Sequence, residues 1–307
     1  MNFCVVGSLN MDLVVKVDHF PQPGETIVGS CFNTFYGGKG GNQAFALSKL
    51  SADVSFIGKV GNDVFGAQYL EHFEKNKINR EGISSTQTST GTAHIEVEIS
   101  SAQNHIIVVP GANNDLTPVW VEENRKIIEA SDVLMLQLEI PMESVVHAAK
   151  IMKEKGGIVI LDPAPAIQLP EQLLDCVDYI TPNETEATIL TSYTCNTEFE
   201  IKKAAQKLMA MGVPNVLIKA GKKGAYLINS DTFIYEAGFS VEAVDSTAAG
   251  DAFNAGLAYA IGKAFSAKDI IRHACAVGAL TTTGFGAQEA MPDYESVVKM
   301  LKSQESN

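Results

Sequence analysis

From about residue 119 onward, the chain alternates regularly between two kinds of segment. Helical segments carry apolar residues three and four positions apart and tend to end at glycine, whereas the segments between them are short, continuous apolar runs. The successive pairs are VWVEENRKIIEA and DVLMLQL, MESVVHAAKIMKEKGG and IVILDP, EQLLDCV and DYITPN, EFEIKKAAQKLMAMG and NVLIKAG. This alternation predicts an α/β fold in which βαβ units surround a buried, mostly parallel sheet.

The N-terminal third has a different pattern. Four segments lack helices between them, and several alternate apolar with polar residues as half-exposed antiparallel strands do: LVVKVDHF, TIVGSCFNTFY, AHIEVEIS and HIIVVPG. They predict a small second sheet beside the main layer, with a hairpin that turns at residues 101–104. Since no repeat or long linker interrupts the chain, residues 1–307 are predicted to form a single domain.

The segment DSTAAGDAFNAGLAYAIG, residues 245–262, places Asp251 where an apolar helix begins, directly after Ala248, Ala249 and Gly250. In open parallel sheets, helix N-termini beyond the carboxyl ends of the strands attract anions through free N–H groups and the helix dipole. The small residues would let a phosphate reach the backbone amides, and Asp251 would accept a proton from an attacking hydroxyl. The segment alone is equally consistent with a capped, tightly packed helix.

A second glycine-rich segment, FYGGKGGNQAFALSKL at residues 35–50, also precedes a predicted helix. It matches neither the P-loop nor the dinucleotide-binding template. Gly37 and Gly38 would allow a ligand to approach the backbone closely, with Lys39 and Asn42 as polar contacts. By itself, the segment favours a glycine turn followed by a surface lysine.

Polar residues follow two other predicted strands. Asp12, in GSLNMD, suits a bidentate contact to adjacent sugar hydroxyls, although a turn-forming aspartate would look the same. Asn183 and Glu186, in TPNETEA, fit a helix N-cap with its capping-box partner. The functional alternative for this pair is a contact to Mg²⁺ through water or phosphate.

Composition excludes several classes of protein. A net charge of −13 and a pI near 4.9 argue against a nucleic-acid or anionic-membrane surface. The five cysteines are scattered without a C-x-x-C pair, which indicates neither a disulfide framework nor a zinc site. The N-terminus lacks a basic region and reads as a first strand, and no apolar run approaches the roughly 20 residues that span a bilayer. A reducing cytoplasm is therefore expected, with no membrane or nucleic-acid partner.

Together, these segments resemble the ribokinase family of PfkB-type carbohydrate kinases over nearly the whole chain. GGKGGNQA is similar to the first family signature, PNETE to its Asn-x-x-Glu element, and DSTAAGDAFNAG to the second signature with its catalytic aspartate. The segments GSLNMD, PGET and LDPAPA occur in the expected order around them. Three motifs in family order are far more specific than any one of them.

The resemblance implies a Rossmann-like three-layer domain with a β-sheet lid, formed by about residues 13–36 and 93–110, which closes over a sugar and often makes a homodimer contact. It implies ATP-dependent phosphorylation of D-ribose at the 5-hydroxyl to give ribose 5-phosphate, with Mg²⁺ bound together with ATP and K⁺ as a monovalent activator. A sister kinase for 2-deoxyribose, a nucleoside or a ketohexose is the alternative within the family. A non-catalytic sugar-binding regulator is the alternative from another class.

The resemblance also implies roles for single residues. Asp251 would be the general base, beside an anion hole at Ala248, Ala249 and Gly250. The sugar would contact Asp12, Gly38, Lys39, Asn42, Glu139 and Asp251. The nucleotide would contact Asn183, Lys219, Gly221, Lys222, Gly224, Gly250 and Cys275. Glu186 would contact Mg²⁺ indirectly, and K⁺ would bind at Asp245, Thr247, Thr281, Gly284, Gly286 and Ala290.

Five residues depart from the family pattern. Gly41 stands where the family usually has Ala and Ser246 where Thr is common, and neither change removes a needed group. Lys219 occupies a strand end that is often Thr, where it could add a phosphate or adenine-side contact. Cys275 stands where a His can approach the nucleotide. Ala290 stands where a Ser hydroxyl can complete the cation shell, so that one ligand is absent or supplied by water.

Overall fold

The computed structural model describes residues 1–101 and 103–303. The strands are β1 (Asn2–Val6), β2 (Asn10–Val17), β3 (Cys31–Gly37), β4 (Asp53–Gly61), β5 (Asn79–Thr86), β6 (Gly91–Glu98), β7 (Asn104–Val109), β8 (Val133–Leu136), β9 (Ile158–Leu161), β10 (Tyr179–Ile180), β11 (Asn215–Lys219), β12 (Gly224–Ile228) and β13 (Phe233–Ala237).

The α-helices alternate with these strands. They are α1 (Lys39–Lys49), α2 (Val64–Lys75), α3 (Pro118–Glu123), α4 (Arg125–Glu129), α5 (Met142–Lys155), α6 (Glu171–Leu174), α7 (Glu184–Thr191), α8 (Glu198–Ala210), α9 (Ala249–Gly262), α10 (Ala267–Thr281) and α11 (Tyr294–Ser303). Within the described ranges, none of them combines the length and apolarity needed to cross a membrane.

A nine-stranded sheet forms the centre of the fold, in the order β13-β12-β11-β10-β9-β8-β1-β4-β5. All neighbouring strands in it are parallel except the pairs that involve β12. The predicted α/β fold with a mostly parallel sheet is confirmed, and the N-terminal segment is its strand β1. Strands β4 and β5 extend this sheet from the N-terminal third and were not predicted from the sequence.

Helices cover both faces of the large sheet. Alternate residues of β1 show the division, since Phe3 and Val5 belong to one buried apolar cluster, and Cys4 and Val6 belong to another. The first cluster includes buried residues of α1, α2, α9, α10 and α11, and the second includes residues of α3 to α8. Two apolar layers on a two-sided sheet explain why its strands are continuous apolar runs.

The predicted small sheet is also present, with the strand order β3-β2-β6-β7. Its central pair, β2 and β6, is parallel, which corrects the expectation of antiparallel strands throughout. The reason is topological: the chain passes through β4, α2 and β5 of the large sheet between them, so a hairpin cannot connect the two strands. The β6–β7 hairpin is antiparallel as predicted, although residue 102 of its turn lies outside the described residues.

One edge of the large sheet collects the residues that follow its parallel strands. Glu139 lies shortly after β8, Asp162 follows β9, Asn183 follows β10, and Lys219 ends β11. Because parallel strands point their carboxyl ends the same way, these residues come together at one edge. The N-termini of α1 and α9 face the same region through Lys39 and Asp251.

Candidate active site

The N-terminus of α9 is open to a ligand. Ala248 is its N-cap, in the left-handed conformation with φ 57°, and no side chain caps the helix. The Ala249 amide donates to the Ser246 carbonyl oxygen at 3.2 Å, whereas no described residue accepts a hydrogen bond from the amides of Gly250 and Asp251. The free donors near the predicted anion hole therefore include the Gly250 amide, while the Ala249 amide is engaged in a turn.

Asp251 lies in the first turn of α9 and is buried, with 6% of its surface exposed. Its Oδ2 accepts a hydrogen bond from Asn42 Nδ2 at 2.9 Å, and its Oδ1 accepts one from Gln43 Nε2 at 3.3 Å. Both donors belong to α1, as its fourth and fifth residues, and Gly38 can start this helix because it adopts φ 83° against the backbone of Asn10. The glycine-rich segment thus positions the buried carboxylate.

The charges around Asp251 are mixed. Burial raises the pKa of Asp251 to about 6, Lys39 and the Asn42 hydrogen bond oppose this rise, and Asp162 and Glu139 add to it. Burial also disfavours the charged form of Lys39, but the carboxylates of Asp251, Asp162, Glu139 and Glu186 outweigh burial and raise its pKa. Lys39 is therefore a fixed positive charge beside an aspartate that is mostly ionised at neutral pH.

The other predicted sugar contacts lie toward the small sheet. Asp12, on β2, fills the space beside Gly37, where any side chain would collide with its carboxylate. Glu139 Oε2 accepts hydrogen bonds from Ser8 Oγ at 2.5 Å and from the Lys39 amide at 2.9 Å. Burial raises the pKa of Asp12 to about 7, and the nearby charges of Glu139, Asp251 and Glu289 add to the rise. The structure therefore brings the predicted sugar residues into one electrostatically coupled group.

Two cavities meet at the start of α9. The larger, of about 590 Å³, has apolar walls that include Phe239 and Phe253, and of the predicted nucleotide residues it is lined by Lys219, Gly221, Lys222, Gly224, Gly250 and Cys275. The smaller, of about 370 Å³, is lined by Lys39, Asp162, Asn183, Glu186, Lys219, Gly250 and Asp251, among others. Because both cavities border Lys219 and Gly250, they are adjacent at the free N-terminus of α9.

The two residues of the Asn-x-x-Glu element form a capping box at the start of α7. Asn183 Oδ1 accepts from the Glu186 amide at 2.8 Å, and Glu186 Oε2 accepts from the Asn183 amide at 2.8 Å. The capping interpretation is therefore confirmed, and both residues also line the smaller cavity. One oxygen of Glu186 remains outside the capping box, so the structural role leaves room for a ligand contact.

Asp162 also belongs to this site, although no role was predicted for it from its sequence context. It is 2% exposed, its Oδ1 pairs with Lys219 Nζ at 2.9 Å, and its Oδ2 accepts from Gln43 Nε2 at 3.1 Å. The signal was present in LDPAPA, since an acid that directly follows a buried parallel strand lies at the ligand-binding edge. Cys275 lines the larger cavity as a buried thiol, and burial, with a contribution from Glu236, raises its pKa to about 12.

Five of the six predicted monovalent-cation positions fall on two neighbouring loops, and the sixth, Thr281, is the last residue of α10. Asp245 holds the loops together, because its carboxylate accepts from the Thr247 amide at 2.9 Å and from the Gly286 amide at 3.1 Å. A Cβ on Gly284 would lie 2.8 Å from Ala290 Cβ, so these two residues are also close. No described residue donates a hydrogen bond to the backbone carbonyls of the six predicted positions, Asp245, Thr247, Thr281, Gly284, Gly286 and Ala290. The loops therefore offer oxygen ligands for a hard cation.

Comparison with known proteins gave matches over nearly the full chain. A profile of pfkB family carbohydrate kinases matches residues 2–294. The chain is 40% identical over 304 residues to the ribokinase of Haemophilus influenzae, covering 97% of both chains. It is 34% identical over 307 residues to the deoxyribokinase of Salmonella typhimurium, covering 99% of this chain and 100% of that protein. The solved structure of Arabidopsis thaliana ribokinase complexed with ribose and ATP aligns with a TM-score of 0.93 at 35% identity, over 98% of both chains.

Proposed function

The chain belongs to the pfkB family of carbohydrate kinases, and we propose that it transfers the γ-phosphoryl group of ATP to the 5-hydroxyl of D-ribose. The products are ribose 5-phosphate and ADP. The observation that carries this proposal is the buried Asp251 beside the unpaired Gly250 amide, at the point where the two cavities meet. The ribokinases among its relatives support ribose as the acceptor.

In the proposed reaction, the larger cavity holds the nucleoside of ATP and the smaller cavity holds its phosphates. Asp251 accepts the proton of the 5-hydroxyl while the hydroxyl oxygen bonds to the γ-phosphorus and the bond to the β-phosphate oxygen breaks. The Gly250 amide and the charge of Lys39 stabilise the negative charge that develops on the phosphoryl oxygens. Asp12, Gly38, Asn42 and Glu139 hold the sugar against Asp251.

We propose Mg²⁺ as the divalent ion that accompanies ATP. Within residues 1–101 and 103–303, no group of three or more His, Cys, Asp or Glu residues could hold a metal ion alone. This suits Mg²⁺, which keeps several waters and binds through phosphates and one or two carboxylates. Glu186 would contact it through water, and the ion would neutralise phosphate charge during transfer.

We further propose a K⁺ site at the unpaired carbonyls of the Asp245 and Gly286 loops. Because a cation there lies near the start of α9, it would help to order the free amides. We expect K⁺ to raise turnover several-fold over Na⁺ or a bulky organic cation at equal ionic strength. Ala290→Ser, which restores a hydroxyl, should lower the K⁺ concentration needed for half-activation. Identical rates in all three cations would show that the K⁺ site is lost or unused.

The small sheet is proposed to act as a lid, because β2 carries Asp12 and β3 leads directly into Lys39 and Asn42. Closure over ribose would exclude water from phosphoryl transfer. Hydrogen exchange in residues 13–36 and 93–110 should therefore slow when ribose binds, while exchange in the buried strand β8 should not change. If hydrogen exchange in these residues does not change when ribose binds, the small sheet does not act as a lid.

The lid also offers a surface for a homodimer. Strand β7 lies at the edge of the small sheet, and all six of its residues are exposed, including Ile107 at 67%. An unpaired edge with exposed apolar side chains on both faces favours association with a second copy. Sedimentation velocity that gave only a monomer at micromolar concentration would contradict this arrangement.

We also propose a cytoplasmic location, with which the five free thiols accord.

The raised pKa values of Asp12 and Asp251 predict an acidic limit to activity. Both carboxyls must be ionised, Asp12 to accept hydrogen bonds from sugar hydroxyls and Asp251 to accept the proton. Since their pKa values are about 7 and about 6, kcat/KM for ribose should be lost as the pH falls through this range. A pH profile that stays flat down to pH 5 would exclude this pair of roles.

A coupled assay of ADP release over a panel of acceptors tests the proposed substrate. We expect the highest kcat/KM for D-ribose among D-ribose, 2-deoxyribose, nucleosides and ketohexoses. A preference for 2-deoxyribose would instead place the activity with that of the Salmonella relative. A protein that binds ribose and shows no acceptor-dependent ADP release would be a regulator rather than a kinase.

A further inference from the structure

A buried glutamine in the C-terminal loop connects to Asp251 through a series of hydrogen bonds. His72 Nε2 lies 2.8 Å from Gln288 Oε1, Gln288 Nε2 lies 3.1 Å from Asn42 Oδ1, and Asn42 Nδ2 lies 2.9 Å from Asp251 Oδ2. These four side chains, which we call the Gln288 series, come from α2, the loop before α11, α1 and α9. Gln288 is 1% exposed, so solvent cannot replace these bonds.

The direction of every bond in the Gln288 series is fixed by its chemistry. An ionised Asp251 only accepts, so Asn42 must present its Nδ2 to the carboxylate and its Oδ1 to Gln288. Gln288 must then donate to Asn42 from Nε2, which leaves its Oε1 to accept from His72. His72 meets this need with a proton on Nε2, because Asn76 Nδ2 approaches its Nδ1 as a donor at 3.5 Å.

Packing holds the series in this one arrangement. The His72 ring stacks between Tyr36, at 3.8 Å between ring centroids, and Phe45, at 5.0 Å. The Gln288 Nε2 also donates to the Tyr69 hydroxyl at 2.9 Å, and that hydroxyl donates to the Gly37 carbonyl at 2.6 Å. If the Gln288 amide turned over, it would set donor against donor at His72 and acceptor against acceptor at Asn42.

We infer that Gln288 is a positioning residue for the proposed phosphoryl transfer, acting through Asn42 to hold Asp251. The inference rests on the proposed function, in which Asp251 must accept a proton from a correctly placed hydroxyl. Asn42 holds Oδ2 of Asp251 in place. Oδ1 of Asp251 has only a longer bond to Gln43, so it is the oxygen that would accept the proton of the sugar hydroxyl. A misplacement of a general base by a fraction of an ångström lowers the rate even when the fold is intact.

Gln288→Met tests the inference, because Met fills a similar volume without an amide. We expect kcat for ribose to fall about 3- to 10-fold, as befits one neutral hydrogen bond. In an Asn42→Ala background, the same substitution should change kcat less than about 2-fold, because the series is already broken. Equal effects in both backgrounds would overturn the inference.

Two further variants separate positioning from structural support. Tyr69→Phe removes one hydrogen bond of Gln288 but leaves its bond to Asn42 in place, so it should lower kcat less than Gln288→Met does. His72→Phe keeps the stacked ring but removes the Nε2 donor to Gln288. Like Gln288→Met, it should lower kcat. If Tyr69→Phe lowers kcat as much as Gln288→Met does, Gln288 only supports the fold.

A measurement without substrates keeps the test independent of the proposed function. In NMR titrations of ¹³C-labelled carboxyls, assigned with Asp251→Asn, Gln288→Met should raise the Asp251 midpoint by about half a pH unit. The direction follows because the Asn42 bond favours the ionised form, while Lys39, Asp162, Glu139 and Asp12 around Asp251 stay unchanged. An unchanged midpoint overturns the inference, whereas absent ribose turnover in wild type would overturn only the proposed function.

Discussion

Replacing Asp251 by Asn is expected to lower kcat for ribose by about 10²- to 10⁴-fold, the usual effect of losing a positioned general base. The amide has nearly the same shape, so ribose and ATP should still bind. Burial disfavours the ionised carboxyl of Asp251 in the folded state, and a neutral side chain removes this cost. However, the NH2 group of the new amide must face the side-chain amide donor of Asn42 or Gln43, and this donor-against-donor contact offsets the gain. The unfolding temperature near pH 7 should therefore stay close to that of wild type.

Asp269→Asn is the matched control for this substitution. Asp269 also lies in the first turn of a helix, α10, but it is exposed and bonded to its N-cap Ser266. Its replacement should leave kcat within about 2-fold, since surface substitutions have small effects. If Asp251→Asn retained turnover within a few-fold of wild type, Asp251 would not be the base.

Replacing Asp12 by Ala is expected to raise KM for ribose tens-fold or more, with little change in KM for ATP. A charge-assisted hydrogen bond contributes about 1.5–3 kcal/mol, which corresponds to this range. The substitution should affect KM for ribose and not KM for ATP because Asp12 lies on β2 of the small sheet and lines neither of the two cavities at α9. Steady-state kinetics with each substrate varied in turn would measure both constants.

Asp18→Ala provides the comparison for this experiment, since Asp18 is exposed just beyond the end of the same strand. It should alter neither KM. An unchanged ribose KM in Asp12→Ala would remove Asp12 from the sugar site. Equal wild-type activity on 2-deoxyribose would favour the sister kinase over a ribose-specific enzyme.

The sequence predicted the large sheet well because its signals are local. Buried parallel strands must be apolar on both faces, and the helices between them must be amphipathic, so segments such as IVILDP are visible one at a time. Strands β4 and β5 were missed because polar residues such as Lys59 and Arg80 interrupt their apolar pattern. The parallel pairing of β2 with β6 could not be predicted, since it depends on a crossover through the other sheet.

The site was predictable where a motif and its chemistry coincide. The family signatures led to Asp251, Asn42 and Lys39, which the structure brings together, and the family itself is confirmed. Their catalytic roles remain predictions. Gln288 and His72 were not identified because each is a common core residue by sequence. Only the three-dimensional fold joins Gln288 to His72, 216 positions away, and to Asn42, 246 positions away.

The most direct test of the account is product analysis by ³¹P NMR after the protein is incubated with ATP, Mg²⁺ and D-ribose. We predict one new phosphomonoester signal, that of ribose 5-phosphate, equal in amount to the ADP formed and nearly absent with Asp251→Asn. Without ribose, ADP formation should be close to background. Inorganic phosphate as the main product, a phosphate on another hydroxyl, or an undiminished signal from Asp251→Asn would contradict the account.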